Sequence, residues 1–185
     1  MTTKELILNT AKEMIAEVGF HRTTTASLAK QANISEGTIY RHFESKEDIL
    51  LQILRDLEEA YSRFIVQCRE TTDGAYGTIE KVLENHLSFV RANEADIKIV
   101  LSTYGILDAA KKSMASLVYR MESFFEDCLR KAKAKDAIQE GVPERQTALI
   151  LVTLLFGLMR LKLYWPEVED LSNPAVDFCR RSLVK

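Results

Sequence analysis

The sequence predicts an all-α fold of about nine helices, and three observations carry that prediction. Gly and Pro together number only 10 of 185 residues, about half of their usual share of roughly 12%. All three prolines lie at or after Pro143, so no proline interrupts a helix in the first 142 residues. Apolar residues recur at helical spacing along most of the chain, and no strand pair, internal repeat or low-complexity segment is visible. A chain of this length buries roughly 70% of its unfolded surface and needs no disulfide or structural metal.

Composition narrows the function classes. The net charge of −2 provides no global basic field. Cys68, Cys128 and Cys179 are odd in number, far apart and without a Cys-x-x-Cys pair, which fits a reducing cytosol and small core residues. Lys4 and Glu5 have no sustained apolar stretch behind them, so no signal peptide is expected. The uncharged, mainly apolar run at residues 148–159 would span about 18 Å as a helix against a hydrocarbon core of about 30 Å, which predicts a buried helix and no membrane span.

Each element has a local reason. The first helix, residues 3–18, places Ile7, Leu8, Ala11, Met14, Ile15 and Val18 on one stripe and ends at Gly19. Thr24 suits the N-cap of a short second helix reaching Ala32, and Asn33 tolerates the positive φ of a turn. Ser35 caps a third helix over residues 36–43. Ser45-Lys46-Glu47-Asp48 resembles a capping box opening a long fourth helix. Its apolar set, from Ile49 through Leu57 and Tyr61 to Cys68, keeps helical period. After the polar break at 71–74, helices are expected over 75–91, 95–107, 108–134, 143–164 and 174–183, the eighth opening with Pro143 and stopped at Trp165-Pro166.

Residues 24–42 thus hold two short helices around a tight turn, with Leu28, Ile34 and Ile39 apolar and Ala29 small where the helices cross. This is the pattern of a helix-turn-helix, whose second helix enters a DNA major groove. Short helical hairpins without that role share the spacing. The literal residues add more. Gly19-Phe20-His21, Thr23-Thr24, Leu28-Ala29-Lys30, residues 35–43 and Ser45-Lys46-Glu47 closely resemble the DNA-binding domain of TetR-family transcriptional repressors, over residues 7–54. Two departures stand out: Ser27 replaces an acid that often completes the second helix's cap, weakening it, and Asn33 replaces a frequent Gly.

The resemblance implies a helix-turn-helix DNA-binding domain at 1–45 and a ligand-binding and dimerisation domain at 46–185. It implies a cytoplasmic homodimer, partnered by double-stranded operator DNA and a small-molecule effector, with no cofactor, metal or membrane. The implied DNA-binding set is Thr24, Ser35, Glu36, Gly37, Thr38, Tyr40, Arg41, His42 and Lys46. Gly37 lets the helix approach base edges, and Thr38 offers a hydroxyl and a methyl to bases. The residues matching Tyr40, His42 and Lys46 hold phosphates in that family, setting register while base contacts set sequence. Residues 1–48 nevertheless hold six Lys/Arg against seven Asp/Glu, so binding must rely on a few placed cations and helix N-termini.

The C-terminal half carries no motif. The eighth helix is apolar around nearly its whole circumference, more than one core face requires, and Thr153 and Gly157 are small residues four apart. A dimer interface of Leu151, Thr153, Leu155 and Gly157 with Phe178 of the ninth helix is expected, the alternative being an intramolecular core helix. A pocket lined by Tyr61, Phe64, His86, Phe89, Tyr104 and Phe124 would take a lipophilic or amphipathic effector, whereas the same aromatics at helical spacing also describe plain core. His86 reads as a hydrogen-bonded core histidine or as a polar anchor of that pocket. Against an enzyme, the sequence has no Glu-x-x-His pair, His-Glu-x-x-His, phosphate-binding Gly loop or Gly-x-Ser-x-Gly. A helical adaptor without DNA binding is the remaining alternative.

Overall fold

A computed structural model describes residues Met1–Lys185. Nine helices follow in order: α1 (Thr3–Val18), α2 (Thr25–Gln31), α3 (Glu36–Tyr40), α4 (Lys46–Glu70), α5 (Ala75–Ala92), α6 (Glu94–Thr103), α7 (Asp108–Ala134), α8 (Glu144–Tyr164) and α9 (Ser172–Leu183). The fold is all-α, with one isolated antiparallel bridge between Ile138 and Val184.

Most boundaries fall where caps and breaks place them, and the differences have local causes. α3 stops at Tyr40 instead of Phe43 because the His42 N–H turns to Ile39 O, three residues back, at 2.9 Å. That tightening sends Phe43 into the core. α6 likewise ends at Thr103, whose carbonyl accepts from both Ile106 and Leu107. α9 starts two residues early, at Ser172, where the Asp170 carboxylate accepts the Ser172 N–H. Pro143 occupies the N-cap of α8, one place before the first turn.

The chain packs as two compact units: Met1–Glu59 with Asn93–Ala115, and Ala60–Ala92 with Ser116–Lys185. These bounds differ from a division at residue 45. In the first unit, α1 packs against α2 and α6, and α2 against α3. The Lys12–Asp96 ion pair at 2.8 Å ties α6 to α1. Its interior holds Ile7, Ala11, Ile15, Leu28, Ile39, Phe43, Ile49, Leu50, Ile53 and Val100.

In the second unit, α8 and α9 both pack on α5. Its core gathers Ile79, Val82 and Leu83 of α5, Phe125, Cys128 and Leu129 of α7, Leu151, Val152 and Leu155 of α8, and Cys179 of α9. All three cysteines are buried and free. α8 corrects two expectations. At 21 residues, with mean hydropathy 1.7 over its most apolar stretch, it is long and apolar enough to cross a membrane, although the uncharged run alone is not. It is also only partly buried: Ala148, Leu151, Val152, Leu155, Leu158 and Met159 face inward, while Leu149, Ile150, Thr153 and Gly157 are exposed. Leu151 and Leu155 therefore belong to their own chain's core and are withdrawn from any surface interface, leaving Thr153, Gly157 and the exposed Phe178.

Candidate nucleic-acid interface

The site is built on local hydrogen bonds. Thr24 caps α2, and Ser27 completes a reciprocal capping box with it: each side chain accepts the other's backbone N–H, at 3.1 and 3.0 Å. Ser27 thus substitutes for the acid usual at its place, correcting the expectation of a weakened cap. Between α2 and α3, Asn33 adopts φ 54° and the Ile34 N–H returns to Ala29 O at 3.0 Å. A left-handed residue is what this turn demands, and Asn supplies it without Gly. Buried Leu28, Ala29, Ala32 and Ile39 close the joint.

The outer face of α3 stays polar and open. Glu36, Gly37, Tyr40, Arg41 and His42 are exposed, Thr38 is half-buried, and Tyr40 retains 54% of its surface. Two hydrogen-bonded chains cross this face. Ser35 Oγ accepts the Thr38 N–H at 3.1 Å and lies 2.8 Å from Thr38 Oγ1, which also accepts from Arg41 Nη2 at 3.0 Å. Thr25 Oγ1 donates to Glu36 Oε1 at 2.5 Å and lies 3.2 Å from Tyr40 Oη. Gly37 is not required by packing, since an added Cβ would meet only Ser35 Oγ at 3.8 Å.

Lys46 holds an internal position as well. Its Nζ donates to Phe20 O at 2.9 Å and sits 4.3 Å from the centre of the Phe20 ring. One of its three N–H groups is thereby used. At the same helix start, Ser45 Oγ accepts the Asp48 N–H, but the Asp48 carboxylate takes the Glu44 N–H instead of that of Ser45, so the capping box is half-formed. Neither the Phe20 contact nor the Thr25 chain was visible in the sequence. Both join residues at least eleven apart through geometry that no spacing rule encodes.

The second unit gathers part of the expected pocket. Tyr61, Phe64 and Phe89 form an aromatic cluster with ring centres 5.0–5.7 Å apart. Tyr61 and Phe124 also line a cavity of about 140 Å³ with Ser62, Ile65, Leu117, Arg120 and Met121. His86 is absent from this lining. It is buried on α5, with Nε2 3.0 Å from Leu155 O and Nδ1 without a partner. A carbonyl only accepts, so Nε2 carries the proton. Burial lowers the His86 pKa to about 4, keeping the ring neutral. Tyr104 belongs to the first unit, partly exposed at the end of α6, and is not among these residues.

Residues 7–53 match the family of bacterial regulatory proteins, tetR family. The chain is 28% identical over 177 residues to the HTH-type transcriptional regulator UidR of Escherichia coli (strain K12), covering 94% of this chain and 86% of that one. Its fold matches SmeT in a triclosan complex with a TM-score of 0.84 at 19% identity, covering 100% of this chain and 93% of that one. A transcriptional regulator from Saccharomonospora viridis in complex with choline, described as putative, matches with a TM-score of 0.81 at 22% identity, covering 98% and 97%. The matched segment spans α1 to the first turns of α4, where the capped α2, the Asn33 turn and the open face of α3 lie. The chain belongs to the tetR family of bacterial regulatory proteins and is a DNA-binding transcriptional regulator.

Proposed function

We propose that the chain is a repressor that binds a pseudo-palindromic operator as a homodimer and leaves it when a small lipophilic or amphipathic effector binds. The observation that carries this reading is the outer face of α3. A five-residue helix is marginal, and an exposed interior glycine destabilises it further, by about 1 kcal/mol relative to alanine. Packing does not require Gly37. An approach of base edges to the helix backbone does. Thr38 would then read bases in the major groove, with Arg41 and Glu36 beside it, while Tyr40, His42, Lys46 and the capped helix starts at Thr24 and Ser35 engage phosphates.

One helix-turn-helix reads too few base pairs for specificity, so two are needed. The exposed row Leu149, Ile150, Thr153 and Gly157 on α8, with Phe178 on α9 at 59% exposure, supports the dimer. A Cβ on Gly157 would meet nothing within 4 Å, so this glycine too is free of any demand from its own chain and suits a helix of a second copy. For the effector, the 140 Å³ cavity is lined by Tyr61, Ile65, Leu117, Met121 and Phe124, with exposed Ser62 and Arg120 the polar members. It matches in size an apolar cavity of about 150 Å³ that holds one aromatic ring. Triclosan in the SmeT complex and choline in the other solved relative are ligands of those proteins, lipophilic in one case and cationic in the other.

Release requires that the effector favour a DNA-incompetent state, and moving 99% of dimers off the operator takes about 5.5 kcal/mol of differential affinity. The test is sedimentation of the protein alone and with a duplex that it selects from a random-sequence pool. Two protomers per duplex are expected. A monomer at micromolar concentration that still binds a single half-site tightly would overturn the dimer. Single-ring amphiphiles titrated against free and DNA-bound protein should bind the free form more tightly. Equal affinity would mean that the cavity is no switch.

A further inference from the structure

We propose that Thr25, a residue outside the implied DNA-binding set, positions the reading face of α3 by holding Glu36 and Tyr40 in one directional hydrogen-bonded chain. The inference rests on the reading of α3 as the DNA-facing helix. Thr25 is the first residue of α2, and its hydroxyl reaches across to α3, where Glu36 and Tyr40 stand one helical turn apart. A hydroxyl carries a single proton, and the carboxylate of Glu36 only accepts, so the Thr25 proton lies on the 2.5 Å bond to Glu36 Oε1. The 3.2 Å contact with Tyr40 must then run the other way, Tyr40 Oη–H donating to Thr25 Oγ1. The order is Tyr40 to Thr25 to Glu36.

Two consequences follow for a polyanionic partner. Glu36 carries the one carboxylate on α3, exposed on the face that would meet phosphates, where an untethered negative charge opposes binding. The bond from Thr25 draws that carboxylate back towards α2 and compensates part of its charge with a donor. Tyr40 is exposed, and an unanchored ring there would lose rotamer freedom on binding. Thr25 holds its hydroxyl in advance. When a phosphate arrives, the Tyr40 proton swings from Thr25 to the phosphate oxygen while the Thr25–Glu36 bond stays.

Thr25→Val keeps the shape and removes the hydroxyl, and Thr25→Ser keeps the hydroxyl. Binding is measured by fluorescence anisotropy on a duplex selected by the wild-type protein, with thermal unfolding run on each variant. Thr25→Val should weaken binding about 3- to 10-fold, the range of one hydrogen bond, with an unchanged Tm, and Thr25→Ser should restore it. A merely structural role would move the Tm and leave the couplings at zero. Alone, Tyr40→Phe should weaken binding and Glu36→Gln should strengthen it. In the background carrying both, Thr25→Val should have no further effect, because the Tyr40 hydroxyl and the Glu36 charge through which Thr25 acts are gone. Should Thr25→Val leave binding unchanged, or cost the same in every background, the positioning role is overturned while the DNA-facing helix stands. Binding that responds to neither Tyr40→Phe nor Glu36→Gln would instead overturn the assignment of that face, and the role of Thr25 with it.

Discussion

The helices α3 and α8 each present an exposed face with a glycine that their own packing does not require, and they are built in opposite ways. α3 has five residues, a Ser35 cap whose hydroxyl accepts the Thr38 N–H, and a polar outer face. α8 has 21 residues, no side-chain cap at Pro143, and an apolar outer row of Leu149, Ile150, Thr153 and Gly157. The difference follows from length. One turn and a half of helix cannot pay the nucleation cost alone, so α3 depends on its cap and on Ile39 in the core. α8 is long enough for Leu151, Val152 and Leu155 to hold it by burial, and its ends need no help. A polar face on a capped short helix suits a hydrated, charged surface, whereas an apolar face on a long one suits another protein surface.

The largest expected effect tests the burial side of this contrast. Leu155→Ala, fully buried in α8, should cost 2–5 kcal/mol in chemical denaturation. Ile150→Ala on the exposed face should cost the monomer well under 1 kcal/mol while raising the dimer dissociation constant. Equal losses in both would erase the distinction between the faces.

His86, bonded to Leu155 O, gives the same helix a pH dependence. Its folded pKa, near 4, lies below the ordinary value of about 6.5, so the unfolded chain takes up this proton first as the pH falls. The stability it leaves intact above pH 6.5 is lost progressively down to about pH 4, by about 3 kcal/mol in all. His86→Gln should flatten the stability curve between pH 6.5 and 4.5 relative to wild type. An unaltered slope would mean that another group titrates there.

Base readout on α3 and phosphate positioning at the start of α4 should separate. Thr38→Ala should change preference at particular operator positions by roughly 1–3 kcal/mol. Lys46→Ala should weaken binding to all sequences and lower the salt slope by about one per protomer. It should also cost a little stability, because the contacts with Phe20 O and the Phe20 ring are lost. A changed sequence preference in Lys46→Ala with none in Thr38→Ala would exchange their roles.

The smallest effects are the sharpest on the comparison itself. Gly37→Ala and Gly157→Ala should each stabilise the free protein by up to about 1 kcal/mol, since neither Cβ meets a clash. The first should weaken DNA binding and the second dimerisation. A glycine whose replacement raises stability and leaves both associations intact would have no interfacial role.

What the sequence determined by itself lies at short range. Thr24, Ser35 and Gly19 marked helix ends, Asn33 marked the turn, and the α2–α3 motif pointed to DNA, because caps and turns are made by residues within four positions of each other. The helical stripes of α1 and α4 were legible for the same reason. Tertiary structure decided the rest. It chose which side of the all-round apolar α8 is core, putting Leu151 and Leu155 inside and Leu149 and Ile150 outside. It placed Tyr104 in the first unit, whereas Tyr61 and Phe124 belong to the second. It also gave the Lys46 ammonium to Phe20 and the Thr25 hydroxyl to Glu36. Periodicity states that a face is apolar or that a side chain is polar. Which partner that group meets depends on how helices far apart in the chain are brought together, and only the packed structure sets that.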